Sequence, residues 1–373
     1  MANHKIVGVS CWKKRPDFAA MKEAGIEWVR LYVPFPFKDE AMSQLSERYV
    51  RERKNILNFS ENGFNILCIT PLFGQLQSYQ DPDFLEQFFR AYEYDRPIGK
   101  PEEIHFYTNI PAWAGDYKSE NFYKTMIDAC AFIGRDLMGK VRMYQISGEM
   151  DCKRFTGPMT IDQVVRFINS SALGIKQGDP DAMVGINTTA LVEWGPTGER
   201  NENAYSFYRT MYTRANLVDF DYAGMDGFMG TFHRGKPTDW YRWIDEVYEI
   251  TKKPILINEW GYSSLGAFDP ASWPKEAFPP GYNPICETQS WPNSFAGVHS
   301  QESQASYLSI CLKIFADHPR VIGSIMYDWQ DDLFCYCKKA FCPHECGWGL
   351  VDRLGRSKKA YFAFKEAVRE FYG

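Results

Sequence analysis

The chain has 373 residues, of which 45% are hydrophobic and 24% are charged, a balance that indicates a folded globular protein rather than a disordered one. Its 42 basic and 47 acidic residues give a net charge of −5 and form no basic cluster, which excludes a typical nucleic-acid-binding surface. No run approaches the roughly 20 apolar residues that a membrane span requires. Neither nucleic acid nor a membrane is therefore an expected partner.

The first residues lead directly into an apolar segment. Residues 1–5 lack the basic segment and long apolar stretch of an export signal, which predicts a cytoplasmic location. The ten cysteines fit a reducing compartment, in which thiols are free or bind metal rather than form a disulfide framework.

Short apolar, β-branched runs alternate with longer segments of helical spacing along the chain, a pattern typical of repeated βα units. Eight strands are predicted: 6–9, 28–33, 65–70, 141–146, 183–187, 222–228, 254–258 and 321–327. The sixth is the least favourable because its glycines lower strand propensity. Helices with clear end signals are predicted at 17–24, 121–134 and 161–175. Without a glycine-rich phosphate-binding turn, the pattern favours a closed (β/α)8 TIM barrel over an open doubly wound sheet.

Two connections are long, at 71–118 and 261–300. Long loops in compact domains are usually lids or binding surfaces, and in a barrel they belong at the C-terminal face of the strands. We therefore predict one barrel domain over 1–373, with 261–300 as an active-site loop and 330–350 as a cysteine-rich loop. Trp113 in the first connection is a candidate to pack on a sugar ring, with a role in the core as an equal alternative.

Two of the predicted strands lead into a glutamate. The segment 141–149 ends in Glu149, and the segment 254–259 ends in Glu259. Retaining cleavage of a glycosidic bond needs two carboxyl groups roughly 5 Å apart, one protonated and one ionised. A single glutamate at a strand end is often a surface or capping group, but the pair favours catalysis. We rank the pair ahead of the other acidic candidates, which are Asp151, Glu193, Asp226 and Asp328.

The two glutamates on predicted strands four and seven resemble the active site of glycoside hydrolase clan A, and the resemblance extends over nearly the whole chain. It implies a retaining mechanism with Glu149 as general acid/base and Glu259 as nucleophile. It also implies that Arg30 on strand two holds the nucleophile ionised. Trp329, after strand eight, is similar to the clan's platform for the sugar being cleaved.

Gly148 departs from this pattern. Most clan members carry an asparagine immediately before the acid/base, where it binds the sugar 2-hydroxyl. Because that contact strengthens in the transition state, another group must replace it or the substrate must differ at that carbon. Asn187 and His233 are candidates to line the pocket, and each could equally serve as a hydrogen-bonding residue of a loop.

A cluster of thiols lies near the C-terminus. Its members are Cys335, Cys337, Cys342 and Cys346, with His344 as an alternative ligand. Their number satisfies a tetrahedral structural zinc site, which leaves no open position for catalysis. Disulfides or free thiols are the alternatives. The other cysteines, including Cys68, Cys130 and Cys311, lie in apolar segments and are predicted to be small core residues.

Together these features predict a glycosidase that hydrolyses O-glycosyl bonds by double displacement, without a catalytic cofactor. We expect exo action on β-linked glycosides, as in β-galactosidases, β-mannosidases or β-glucosidases. The alternatives are an endo-β-glycanase of the same clan and an inactive carbohydrate-binding barrel. A zinc-dependent hydrolase is disfavoured because a thiolate-rich site offers no open coordination position. A homo-oligomer is compatible with the sequence.

Overall fold

The computed structural model describes residues 5–11, 16–76, 106–189, 202–231, 235–265, 294–332 and 346–373. Eight parallel strands close into a barrel in which each pairs with its neighbours in sequence and the last pairs with the first. They are β1 (Ile6–Ser10), β2 (Trp28–Tyr32), β3 (Asn65–Ile69), β4 (Met143–Gln145), β5 (Met183–Ile186), β6 (Tyr222–Gly227), β7 (Ile255–Trp260) and β8 (Val321–Met326). The predicted TIM barrel and all eight predicted strands are confirmed.

Within the described ranges, eight helices of six or more residues follow these strands. They are α1 (Phe18–Glu23), α2 (Glu47–Glu61), α3 (Glu120–Asp136), α4 (Ile161–Gly178), α5 (Glu202–Thr213), α6 (Asp239–Thr251), α7 (Gln301–Asp317) and α8 (Lys359–Phe371). The shorter elements are an antiparallel pair, Gly74–Leu76 with Phe106–Thr108, a 3-10 turn, Ala112–Ala114, and the helix Lys153–Thr156. None of the helices in these ranges is long and apolar enough to cross a bilayer.

The three predicted helices are present because their first residues cap them. Asp17, Ser119 and Thr160 each accept a hydrogen bond from a backbone N–H of the first turn, which satisfies a group that the helix itself leaves unpaired. At the other end of α1, Gly25 has a φ of 78°, the left-handed conformation in which glycine ends a helix without strain. The chain then enters β2 directly.

The glycines of β6 allow close packing rather than weakening the strand. Every residue of β6 is buried. A Cβ atom at Gly224 would lie 2.5 Å from Asn258 Oδ1 and 2.7 Å from the backbone oxygen of Ile186. One at Gly227 would lie 2.6 Å from the ring of Trp240. Strand propensity alone therefore underestimated β6, because it ignores the room that neighbouring elements require.

The barrel interior changes from apolar to polar along the strands. A buried apolar cluster fills one layer, formed by Leu67, Met143, Tyr222, Leu256 and Ile325. Because residues two apart on a strand share a face, Gln145 lies one layer beyond Met143, and Asn258 one layer beyond Leu256. Both amides are fully buried. The polar layer thus begins toward the C-terminal ends of the strands, where barrel enzymes place their active sites.

Three cysteines that were predicted to be core residues occupy the core. Cys68, Cys130 and Cys311 have no exposed surface. Burial raises the pKa of the Cys130 thiol to about 12, and it raises the pKa of the other two as well. These thiols are therefore protonated and inert at neutral pH, as small apolar residues would be.

Candidate active site

Glu259 lies within β7 and pairs with an arginine from β2. The Arg30 Nη2 atom is 2.5 Å from Glu259 Oε1, with the arginine side chain 2% exposed and the glutamate side chain 19% exposed. At this distance the guanidinium both attracts and hydrogen-bonds a carboxylate. The structure therefore brings together the two residues whose pairing the sequence predicts, and it leaves the carboxylate accessible from the barrel mouth.

Glu149 has a different backbone setting from the one expected. The predicted strand 141–146 was expected to lead directly into Glu149, but β4 ends at Gln145 and the glutamate follows four residues later. Ser147 and Glu149 adopt φ values of 58° and 45°, which break the extended strand. The backbone N–H of Glu149 donates to Asn187 Oδ1 at 3.1 Å, and that of Ser147 donates to Thr70 Oγ1 at 2.9 Å. Neighbouring strand ends thus hold this turn, with the glutamate half-buried.

Gln145 connects the surroundings of the two glutamates. Its Oε1 accepts hydrogen bonds from Arg30 Nε at 2.9 Å and from Asn258 Nδ2 at 2.8 Å. Its Nε2 donates to Asn187 Oδ1 at 2.9 Å and to the backbone oxygen of Ser147 at 2.8 Å. One buried amide therefore links the partner of Glu259 to the residue that holds the backbone of Glu149.

Asp226, ranked behind the two glutamates on sequence grounds, lies beside them. It is buried on β6 and stands opposite Glu259 in the register with β7. Burial raises its pKa well above the usual range, and the charges of Glu259 and Glu149 raise it further. Both glutamates are therefore close enough to act on one buried carboxyl group, which places all three acidic side chains at the same end of the barrel.

Asp151 stabilises the segment that follows Glu149. It is buried and accepts hydrogen bonds from the backbone N–H of Thr189, at 2.9 Å, and from the Thr189 hydroxyl. Burial raises its pKa to about 6. Because Thr189 follows β5, this contact provides a second connection between the turn of Glu149 and the end of that strand.

Of the two remaining acidic candidates, Asp328 and Glu193, Asp328 belongs to the described residues. Asp328 is buried and accepts a hydrogen bond from the backbone N–H of Gln330 at 2.7 Å. Glu193 lies outside the described residues.

Packing does not require glycine at position 148. A Cβ atom at Gly148 would lie 3.4 Å from Gln145 Nε2 and from Leu72 Cδ2, at the edge of ordinary contact. Asn187 is 2% exposed, and its amide bonds to Gln145, to the backbone of Glu149 and to Asp226. Its contacts within the protein are thus those of a residue that orients the site. The prediction that it contacts a sugar stays a prediction.

The two tryptophans predicted to bind sugar are packed against protein groups. Trp329 is 2% exposed, and its ring centroid is 6.3 Å from that of Tyr361 in an edge-on contact. Trp113 is half-buried, packs edge-on against Phe35 and donates to the backbone oxygen of Lys38 at 3.2 Å. Their roles as sugar platforms stay predictions.

Tyr327 is an aromatic residue at the end of β8 that the sequence reasoning did not select. It is half-buried, and its ring centroid is 6.0 Å from those of Phe228 and Trp348. Its signal in the sequence was its position as the last residue of a predicted strand. His233, the other pocket candidate, lies outside the described residues.

Most of the predicted zinc site also lies outside the described residues. This applies to Cys335, Cys337, Cys342 and His344, whereas Cys346 is described and is 2% exposed. Among the residues that can be described, no group of three or more His, Cys, Asp or Glu side chains is arranged to hold a metal. The zinc site therefore stays a prediction.

The fold is shared with solved glycoside hydrolases. The Ignisphaera aggregans GH53 catalytic domain is 15% identical, with a TM-score of 0.60 over 98% of this chain and 96% of that domain. A Streptomyces cattleya GH5_18 structure in complex with GlcNAc is 14% identical, with a TM-score of 0.58 over 95% of this chain and 74% of that one. The Bacteroides uniformis β-glucuronidase is 13% identical, with a TM-score of 0.57 over 98% of this chain but only 35% of its own.

These similarities show that the chain has the TIM-barrel fold of these glycoside hydrolases. The chain spans about a third of the β-glucuronidase and about half of an Eisenbergiella tayi GH2 β-galacturonidase to which it is also similar. No protein-family model matches the sequence, and no curated protein matches it either.

Proposed function

We propose that this chain is a retaining glycoside hydrolase that acts on β-linked glycosides, with Glu259 as nucleophile and Glu149 as general acid/base. The ion pair between Arg30 and Glu259 carries the proposal. It supplies an ionised carboxylate inside a barrel mouth that also contains a second glutamate on a separately anchored turn. A carbohydrate-binding protein gains little from burying an arginine to hold such a carboxylate, because the pair costs desolvation energy.

The proposed reaction has two steps. Glu259 attacks the anomeric carbon while Glu149 donates its proton to the glycosidic oxygen, so that the aglycone leaves as an alcohol and the sugar becomes an ester of Glu259. In the second step Glu149, now ionised, takes a proton from water, and the resulting hydroxide attacks the anomeric carbon. Glu259 is released and Glu149 is protonated again, which returns the enzyme to its starting state.

The solved structures do not point to one sugar. They include a β-glucuronidase, a β-galacturonidase and a GH5_18 protein in complex with GlcNAc. We propose that the sugar packs on the ring of Tyr327, since this residue is only half-buried at the end of the strand. At position 148 this chain has glycine instead of the asparagine that binds the sugar 2-hydroxyl in most clan members. The substrate is therefore expected to differ at carbon 2 or to be bound there by another residue. Exo action on this substrate is our preferred mode.

A panel of nitrophenyl β-glycosides tests the proposal. It should contain the galactoside, mannoside, glucoside, xyloside, fucoside and glucuronide. We expect turnover of at least one compound, with the β-anomer of the sugar as the first product by proton NMR. Release of the α-anomer would contradict the retaining mechanism. Measurable sugar binding with no turnover of any aryl glycoside would favour a binding barrel instead.

Chain-length dependence tests exo against endo action. With oligosaccharides of the preferred sugar that are labelled at the reducing end, exo action releases one sugar at a time from the non-reducing end. Early products of intermediate length would favour an endo-β-glycanase.

Metal analysis of the purified protein tests the zinc prediction in the same preparation, where four titratable thiols and no zinc would contradict it.

A further inference from the structure

Asp226 is a buried carboxyl group for which the proposed reaction has no use. It is 2% exposed on β6 and stands opposite Glu259 on β7, beside an irregularity in the pairing between Met225 and Asp226. A third carboxyl group between an acid and a nucleophile would impair catalysis if it carried a charge, because like charges disfavour each other's ionised forms. Its hydrogen bonds indicate what it does instead.

Asp226 is bound to the residue that holds Glu149. Asn187 Nδ2 donates to Asp226 Oδ2 at 2.5 Å, while Asn187 Oδ1 accepts from the Glu149 backbone N–H and from Gln145 Nε2. Two donors point at the Asn187 oxygen, so the amide cannot be reversed without setting N–H against N–H. Asp226 therefore accepts the hydrogen bond that completes the orientation of Asn187.

The surroundings of Asp226 favour its neutral form. Burial raises its pKa, and so do the charges of Glu259 on β7 and Glu149 after β4, whereas Arg30 on β2 and the Asn187 hydrogen bond lower it. Tyr222 on β6 and Tyr208 on α5 also lie within electrostatic range, and both are buried and protonated at neutral pH. One arginine, already paired with Glu259, does not offset burial and the charge of that glutamate, even while Glu149 carries its proton.

The position of the proton follows from the hydrogen bonds. Oδ2 accepts from Asn187, which leaves Oδ1 as the protonated oxygen of the neutral acid. Asp226 Oδ1 is a buried atom that has no hydrogen-bond partner among the residues that the structure describes. An ionised oxygen would be far more costly in that position than a neutral O–H group.

We propose that Asp226 is a neutral positioning residue: it orients Asn187, and through it the backbone of Glu149, without adding a second negative charge beside the two glutamates. This inference rests on the proposed glycosidase function for its kinetic consequences. Its statement about the charge of Asp226 is independent of that function.

The kinetic test compares Asp226→Asn with Asp226→Ala. The alanine variant leaves the buried Nδ2 of Asn187 unpaired, and we expect kcat/KM to fall by about 10- to 100-fold. The loss should be larger for a phenyl glycoside than for a dinitrophenyl glycoside, because only the poorer leaving group depends on protonation by Glu149. Asparagine is neutral and keeps an acceptor for Asn187, so it should recover most of the lost activity. The basic limb of the pH profile should stay in place.

Asp221→Ala is the matched control. Asp221 precedes β6, at the opposite end of the barrel, where it accepts from the backbone N–H of Val184 at 2.7 Å and pairs with Lys176. Its removal should lower the melting temperature without changing the dependence on leaving group. If Asp226→Asn is as impaired as Asp226→Ala, or moves the basic limb to lower pH by about one unit, Asp226 is ionised and the proposal is wrong.

An infrared difference spectrum separates this inference from the proposed function. Wild-type protein minus Asp226→Asn at pH 7 should show the C=O band of a protonated carboxyl group, whether or not any glycoside is hydrolysed. A carboxylate band in its place would overturn the neutral state. If the wild-type protein hydrolyses no glycoside but shows the protonated band, the proposed function fails and the neutral state of Asp226 survives.

Discussion

The two glutamates at the barrel mouth are the same residue type in two different settings. Glu259 belongs to a six-residue strand, and its carboxylate is held by the buried guanidinium of Arg30. Glu149 lies four residues beyond a three-residue strand, in a left-handed conformation, and its backbone N–H donates to Asn187. Fixing the carboxylate suits a nucleophile. The backbone contact of Glu149 helps to place the turn without involving the carboxyl group, which must exchange a proton twice in each turnover.

Removal of Glu259 should have the largest effect. We expect Glu259→Ala to lower kcat by at least about 10⁴-fold, because no glycosyl ester can form. Added azide should restore activity by attacking from the face that Glu259 occupied, giving the α-glycosyl azide. Glu366→Ala, a change at an exposed glutamate of α8, is the control and should leave kcat unchanged. A β-glycosyl azide from Glu259→Ala would reverse the roles of the two glutamates.

Removal of Glu149 should have a large effect that depends on the leaving group. For Glu149→Ala we expect kcat/KM to fall by about 10²–10⁴-fold with a phenyl glycoside, and by much less with a dinitrophenyl glycoside that leaves without protonation. Azide should attack the glycosyl ester of Glu259 and give the β-glycosyl azide. Equal losses on both substrates would remove Glu149 from the role of acid.

Replacement of Arg30 tests whether its ion pair anchors the carboxylate of Glu259. Arg30→Met removes a buried partner of Glu259 and of Gln145, and we expect the free energy of unfolding to fall by about 3–5 kcal/mol. Chemical denaturation measures this loss. Arg30→Lys keeps the charge but carries its donors on a single nitrogen, which cannot reach Glu259 and Gln145 as the guanidinium does, so its stability should be intermediate. If Arg30→Met is as stable as the wild type, the ion pair does not anchor Glu259.

Replacement of Asp151 tests the anchoring of the Glu149 turn and should have the smallest effect. The pKa of Asp151 is raised from 3.8 to about 6 in the folded protein. The protonated form is therefore favoured by folding, so its stabilising contribution is complete below about pH 4 and is lost as the pH rises through 6. The linked free energy is about 1–3 kcal/mol.

Asp151→Asn should remove this pH dependence. We expect the melting temperature of the variant to equal or exceed that of the wild type at pH 7. Between pH 7 and pH 4 the wild type should gain stability that the variant does not gain. Asp352→Asn, at an exposed turn, is the control because the pKa of Asp352 is lowered by its hydrogen bonds and by Arg356. A parallel pH dependence in Asp151→Asn and wild type would show that Asp151 is not the titrating group.

The parts of the site that lie on strands could be predicted from the sequence. Arg30 and Glu259 lie on strands that their apolar pattern predicts, so their placement at one end of the barrel follows from strand order. The exact position of Glu149 could not be predicted, because a φ of 45° at a glutamate is imposed by contacts such as that with Asn187. Hydrophobic periodicity carries no information about such a turn.

The connecting residues were also beyond prediction. Gln145 bonds to Arg30 and to Asn258, which are 115 and 113 residues away in the chain. Nothing local distinguishes such an amide from an ordinary polar residue at a strand end. Asp226 was considered and ranked lower. Its environment is created by two glutamates that are distant in the chain, and no local pattern shows this. Long-range contacts of this kind are fixed by barrel closure and not by local pattern.

The most direct test of the account is to trap the glycosyl-enzyme. A 2-deoxy-2-fluoro β-glycoside with a good leaving group, built on whichever sugar the wild-type protein hydrolyses, should form a slowly hydrolysed ester that peptide mass spectrometry can locate. We predict the added sugar on the peptide that contains Glu259, with no label on Glu149 or Asp226. Label on either of those residues, or turnover without any covalent adduct, would contradict the assignment of Glu259 as the nucleophile.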